Sequence, residues 1–156
     1  MGWKEDLALG KRFELVYFEN ELDDAEIYQS EGLCKGWDLE TYKGVRYEVK
    51  ACRKWRSTGN MLVEFACNKK DSGISTTISD YWAFYQLGRN DDWIKVITVP
   101  TAVIKDMIRK KKYYTYYYGA DFGQSDFFLF KESALNEYEG IKINKNPNYH
   151  NMLMAW

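Results

Sequence analysis

Across residues 3–21 the apolar positions Leu7, Phe13, Val16 and Tyr17 return to one side of a roughly 3.6-residue turn, which predicts an amphipathic α-helix in spite of Gly10. The period then shortens to about two. Residues 25–29, 36–42 and 45–53 read as strands, the last two joined by a tight turn at Lys43-Gly44. Trp37, Leu39, Tyr47, Val49 and Ala51 alternate with Asp38, Glu48, Lys50 and Cys52, so one face of this hairpin is expected to be core and the other to carry charge. Residues 60–67 form a further predicted strand, with Leu62, Glu64 and Ala66 alternating with Val63 and Phe65.

The hydroxyl-rich stretch Ser72-Gly73-Ile74-Ser75-Thr76-Thr77 reads as a turn or helix start, because short hydroxyl side chains satisfy free backbone N–H groups there. Strands are expected at 81–86 and 93–99 around the turn Gly88-Arg89-Asn90-Asp91, and Pro100-Thr101 opens a helix running to 110. Strands at 113–118 and 126–130, a short helix at 133–138 and an irregular tail after Gly140 complete the chain. This order predicts an α/β (α+β) architecture, and with no linker, repeat or low-complexity tract the 156 residues are expected to form one domain.

Composition narrows the classes. The chain is 46% hydrophobic and 29% charged, which supplies both a core and a solvated surface and excludes disorder throughout. The 13 Tyr and 6 Trp favour sheets and interfaces, where one end of the ring is apolar and the other wet. A net charge of −1 argues against coating nucleic acid by bulk positive charge. Locally the balance differs: Lys43, Arg46, Lys50, Arg53, Lys54 and Arg56 crowd around the single acid Glu48. A second basic run, Arg109 to Lys112, falls where the helix dipole favours cations. Cys34, Cys52 and Cys67 form no C-x-x-C pair and leave one thiol over, so a reducing cytoplasm is expected. His150 is the one histidine, which leaves a Cys/His zinc site without local ligand spacing. No apolar run approaches the roughly 20 residues of a membrane span, and Asp6 stands where a myristoylation signal has Ser or Thr.

The candidate chemistry lies on the hairpin. Glu48 and Lys50 point to one face, and Asp38 and Glu48 stand at nearly equal distances from the tip, so their carboxylates are expected to converge. Two converging carboxylates repel unless a cation lies between them. Mg²⁺ (or Mn²⁺), which prefers oxygen ligands and keeps sites for water and phosphate, meets that need. Lys50 is placed to orient an attacking water or to stabilise phosphate charge. Arg53, Lys54 and Arg56, followed by a loop at Ser57-Thr58-Gly59, suit phosphate steering, and Ser75, Thr76 and Thr77 are capping hydroxyls that a phosphate could also use.

The segments "GWDLE" with Asp38, "YEVKA" with Glu48 and Lys50, and "GKRFELVYF" with Glu14 resemble the PD-(D/E)XK nucleases, a family that includes restriction endonucleases, Holliday-junction resolvases and many phage nucleases. The resemblance covers roughly residues 11–107, leaving 113–156 as a C-terminal extension; "SGISTTISDYWAF" is similar to phage-type members. No Pro precedes Asp38, and Ile78-Ser79 stands where a basic residue is commoner. The resemblance implies a restriction-endonuclease-like core: helix, three-strand meander, helix and further strand, in a central mixed β-sheet flanked by helices. It implies a DNA endonuclease or junction resolvase, with junction, flap, mismatch and plain duplex all open as substrates, and one or two metal ions held by Asp38, Glu48, the Val49 backbone carbonyl and Glu14; strand parity allows Glu64 either to flank the same site as a further ligand or to face water. It also implies a homodimer of phage or bacterial origin. A non-catalytic DNA- or protein-binding module on the same scaffold is the alternative.

Overall fold

Strand pairing sorts the chain into two sheets. The computed structural model describes residues 3–22, 27–29, 36–119 and 124–148. In chain order the elements are α1 (Trp3–Glu21), β1 (Ile27–Gln29), β2 (Leu39–Thr41), β3 (Arg46–Cys52), α2 (Trp55–Thr58), β4 (Asn60–Cys67), β5 (Lys70–Asp71), β6 (Tyr81–Leu87), β7 (Trp93–Pro100), α3 (Thr101–Arg109), β8 (Thr115–Gly119), β9 (Ser125–Lys131) and β10 (Lys142–Lys145). The central sheet has the order β1-β2-β3-β6-β7-β10 and the second the order β5-β4-β9-β8. All pairs are antiparallel except β3 with β6, so the central sheet is mixed.

The alternation of the hairpin is realised. Phe13 and Tyr17 of α1 pack with Leu39, Val49, Ala83, Tyr85, Leu87 and Val96 on one face of the central sheet. On the other face Trp82, Phe84, Ile97 and Val99 meet Met61, Val63 and Phe130 of the second sheet, with Ile104 and Met107 of α3. A mixed α/β fold results, its central sheet covered by α1 on one side and by the second sheet with α3 on the other. Central strands buried on both faces need apolar residues at successive positions, and β6 (YWAFYQL) supplies them.

Several expectations change. The resemblance implies a helix between the third meander strand and its parallel neighbour. That crossover instead contains only the four-residue α2, followed by β4, β5 and a 3-10 turn at Gly73–Ser75. The period of two in β4 explains this: Met61 and Val63 are buried against the core while the chain pairs with β9, which a helix could not do. The loop expected at Ser57-Thr58 is the end of α2, anchored by buried Trp55 and closed by Gly59 in the left-handed region (φ 74°). The short helix at 133–138 is a 3-10 helix, Glu132–Glu137. The tail after Gly140 is not irregular, since β10 pairs with β7 from Lys142 opposite Thr98 to Lys145 opposite Lys95. Its sequence, KINK, has no apolar alternation to announce it; it is tied to α1 by Lys142 and Asn144, both on Glu21. Cys52 and Cys67 are free thiols; Cys34 and His150 fall outside the described residues, as do the first two positions of 25–29. Among the described residues no helix is long and apolar enough to cross a membrane.

Phe13 is fully buried and lies 4.9 Å from Tyr85 between ring centroids, whereas Leu15 on the same helix is 44% exposed. Phe13→Ala is expected to lower unfolding free energy by about 3–5 kcal/mol through cavity formation, and Leu15→Ala by less than about 0.5 kcal/mol. Equal losses in chemical denaturation would contradict this placement of α1.

Candidate active site

The β2–β3 hairpin is closed by Thr41 and Gly44: the Thr41 N–H donates to Val45 O (2.9 Å) and the Gly44 N–H to Thr41 O (2.8 Å). Gly44 has φ +81°, a left-handed conformation that a side chain would strain. Leu39 then faces Tyr47, and the Asp38 N–H donates to Tyr47 O at 2.8 Å, which extends the ladder and sets Asp38 beside Glu48. One Asp38 carboxylate oxygen, Oδ2, accepts from the Val49 N–H at 2.7 Å. Lys50 Nζ lies 2.6 Å from Glu48 Oε1 and 5.5 Å from the Trp82 ring centroid. The predicted triad is therefore brought together on one hairpin.

Its electrostatics are those of crowded acids. Burial, reinforced by the Glu48 charge, pushes the Asp38 carboxyl up to about 7, against the opposing pull of Lys50 and the Val49 N–H. Glu14, only 6% exposed, is also raised, first by burial and further by Glu48, although Lys11 donates to it at 3.2 Å. Burial works to lower the Lys50 pKa, but Glu48 and Asp38 outweigh it and the net shift is upward. Lys50 is thus an ammonium at neutral pH, with a side chain 39% exposed. Its charge also feels Glu64, whose Oε1 accepts from Ser72 Oγ at 2.6 Å.

The segment entering β2 is fixed from a distance. The Gly36 carbonyl accepts from Thr77 Oγ1 (3.0 Å), Ser79 Oγ (2.9 Å) and the Ile78 N–H (3.0 Å). A Cβ on Gly36 would lie 2.9 Å from Ile78 N, so no larger residue fits this approach. The 3-10 turn is pressed equally hard onto β4: a Cβ on Gly73 would fall 2.2 Å from Glu64 O. The Thr77 and Ser79 hydroxyls therefore hold Asp38 in place, a role that sequence reading missed because the partners lie 41 and 43 residues away. Lys11 and Ser72, which hold Glu14 and Glu64, were missed for a related reason: single polar residues carry no periodic signal.

Other candidates are engaged elsewhere. Arg53 forms a fork on Asp91 (2.7 and 2.9 Å) and reaches Asp6 at 3.2 Å, which ties α1 to the β6–β7 turn and leaves its guanidinium occupied. Ser57 and Thr58 hydroxyls donate to Lys54 O at 3.2 and 2.8 Å, and Ser75 Oγ donates to Phe65 O at 2.8 Å. Lys54, Arg56 and Thr76 are exposed.

Asp38 and Glu48 offer oxygen donors where negative charge is crowded and poorly solvated, which is the chemistry a hard divalent cation would relieve. Among the described residues no group of three His, Cys, Asp or Glu side chains is drawn close enough to hold a metal by itself. The fit is therefore to two carboxylates, with remaining positions left to backbone carbonyl, water or substrate. No protein-family model matches the chain, and no curated protein matches it in sequence.

Because the folded-state pKa of Asp38 lies above its ordinary value, the native state holds a proton that the unfolded chain releases. The resulting stabilisation is complete below the ordinary carboxylate range and is lost as pH rises through about 7. Melting temperature in chelator is accordingly expected to fall from pH 5 to pH 8 more steeply for the parent than for Asp38→Asn. Identical pH slopes would show that Asp38 is solvated as an ordinary surface acid.

Proposed function

We propose that this chain is a divalent-metal-dependent nuclease that hydrolyses phosphodiester bonds in DNA, with a restriction-endonuclease-like core. The observation that carries the reading is the hairpin itself: Asp38 and Glu48 side by side, Lys50 on Glu48, and the Asp38 carboxyl pushed up by burial and by its neighbour. A binding module has no need to hold acids together at such electrostatic cost.

Asp38, Glu48 and the Val49 backbone carbonyl would hold Mg²⁺ or Mn²⁺, with Glu14 and Glu64 in supporting positions. When bound, the ion supplies positive charge that polarises phosphate and water. The chain's own residues do the rest. Asp38 gives up its proton to enter this arrangement, while its Oδ2 stays on the Val49 N–H and keeps the carboxylate oriented. Lys50, raised rather than lowered in pKa, serves as a fixed cation and hydrogen-bond donor and not as the base. It neutralises Glu48 before substrate arrives, then turns its ammonium toward the phosphate oxygens as water adds to phosphorus and gives its proton to solvent, while the bond to the leaving oxygen breaks and that oxygen takes a proton from solvent. Junctions or other branched DNA are the proposed substrates, and a homodimer would present two such hairpins to two strands. Light scattering that finds only monomer, free and on DNA, would oppose the dimer.

A second reading, a non-catalytic module on the same scaffold, is favoured by the absence among the described residues of three converging ligand side chains. Variants separate the two. Asp38→Ala, Glu48→Ala and Lys50→Ala are each expected to reduce cleavage of a branched duplex in Mg²⁺ by about 100-fold or more. Lys50→Ala should still bind the duplex in Ca²⁺, since its contribution belongs mainly to the transition state. Circular dichroism establishes folding first. Parent-level cleavage by the Asp38 and Lys50 variants would remove this site from consideration, and absence of Mg²⁺ or Mn²⁺ binding in calorimetry, with and without DNA, would favour the module.

A further inference from the structure

β6 and β7 lose register at one point. Gln86 faces Lys95 and Leu87 faces Trp93, so Ile94 has no partner. A bulge of this kind twists its strand and re-aims the adjacent side chains. The row of residues through it runs across the sheet: Cys52 on β3 faces Gln86, which faces Lys95, which faces Lys145 on β10. Cross-strand partners share a face, and this row lies two residues beyond Lys50, so Gln86, Lys95 and Lys145 stand on the face that carries Glu48 and Lys50.

A cavity of about 170 Å³ opens at the bulge, lined by Gln86, Ile94, Lys95 and Lys145. Its rim is fixed by Asn146, whose N–H donates to Ile94 O at 2.9 Å and whose Nδ2 donates to Trp93 O at 2.7 Å. Lys95 is held rigidly, with Nζ 2.5 Å from Glu132 Oε2 and 5.4 Å from the Trp55 ring centroid. Lys145 is exposed, and no carboxylate among the described residues pairs with it. Two ammonium groups against the one carboxylate of Glu132, together with the amide of Gln86, leave the cavity with net positive charge and N–H donors. Ile94 is its one apolar wall, too little to seat a base or an aromatic ligand.

We propose that this cavity is an anion subsite that takes a backbone phosphate of the nucleic-acid strand at a distance from the bond being cut. The inference rests on the nuclease reading for the identity of the strand. Adjacent strands lie about 4.8 Å apart, so Lys145 is roughly 14 Å across the sheet from β3. The middle of this face is closed by Trp55, Trp82 and Phe84 under the second sheet, so a strand from the Asp38–Lys50 hairpin reaches Lys145 around the rim of the sheet, where the exposed ammonium supplies a positive endpoint on a chain with net charge −1.

The test uses Lys145→Ala and Lys145→Glu in the full chain, with duplex binding measured in Ca²⁺ over a salt series and the Gln86 side-chain amide followed by NMR. Loss of one phosphate contact is expected to weaken binding about three- to tenfold and to reduce the slope of log affinity against log salt by about 0.9. Lys145→Glu should be the weaker binder. An oligonucleotide, and at higher concentration inorganic phosphate, should shift the Gln86 amide in the parent and not in Lys145→Glu. Unchanged affinity and slope in both variants overturn the subsite while leaving the nuclease reading intact, because cleavage is assayed separately through Asp38. A Gln86 shift with phosphate but none with oligonucleotide overturns the assignment to a strand. A parent that binds DNA through Lys145 but cuts no DNA in Mg²⁺ supports the subsite and defeats the nuclease reading.

Discussion

The parallel pairing of β3 with β6 is the constraint on which the rest of the fold depends. Parallel neighbours cannot be joined by a short turn, so the chain must leave the sheet and return to the same end. Here the departure builds β4 and β5, and the apolar side of β4 has to be buried somewhere. It is buried against the central sheet face that carries Trp82 and Phe84, and β9 and α3 close over the same core. The return also brings Thr77 and Ser79 past Gly36, so a topological requirement becomes the clamp that sets the position of Asp38.

Placing acids on this hairpin works against stability. Asp38 and Glu14 are both raised in pKa by burial, and each feels Glu48. Lys50 and Lys11 offset part of this, the former at 2.6 Å from Glu48 and the latter at 3.2 Å from Glu14. Sites that hold like charges together are common where function requires a charged ligand, and they persist because surrounding packing over-determines their geometry. Tyr85, Phe13 and Tyr17, packed against one another beneath the hairpin, provide such a foundation.

The parts legible in the sequence were those governed by local periodicity. The alternation around Val49 and Lys50 separated the side packed under α1 from the side carrying Glu48 and Lys50, though that second side also becomes core at Cys52, Trp82 and Phe84, and the equal spacing of Asp38 and Glu48 from the turn set them side by side. What escaped was non-local. KINK becomes strand β10 only because β7 offers an unpaired edge and Glu21 offers partners for Lys142 and Asn144. Arg53 reads as a free cation until the fold delivers Asp91 and Asp6 to its guanidinium. The strand at 60–67 was legible from its alternation, and the helix start expected at 72–77 is a single 3-10 turn; what local pattern did not give was the pairing of β4 with β9 in a second sheet.

β10 has a consequence for solubility. Without it, the row Lys95, Val96, Ile97 and Thr98 of β7 would present open N–H and C=O groups at the rim of an aromatic-rich sheet, a template on which another chain could add a strand. β10 covers that rim and replaces it with a four-residue edge bearing Lys142 and Lys145, charges that disfavour further strand addition. The same short segment that reads as an unremarkable polar tail therefore guards this edge of the central sheet against strand addition.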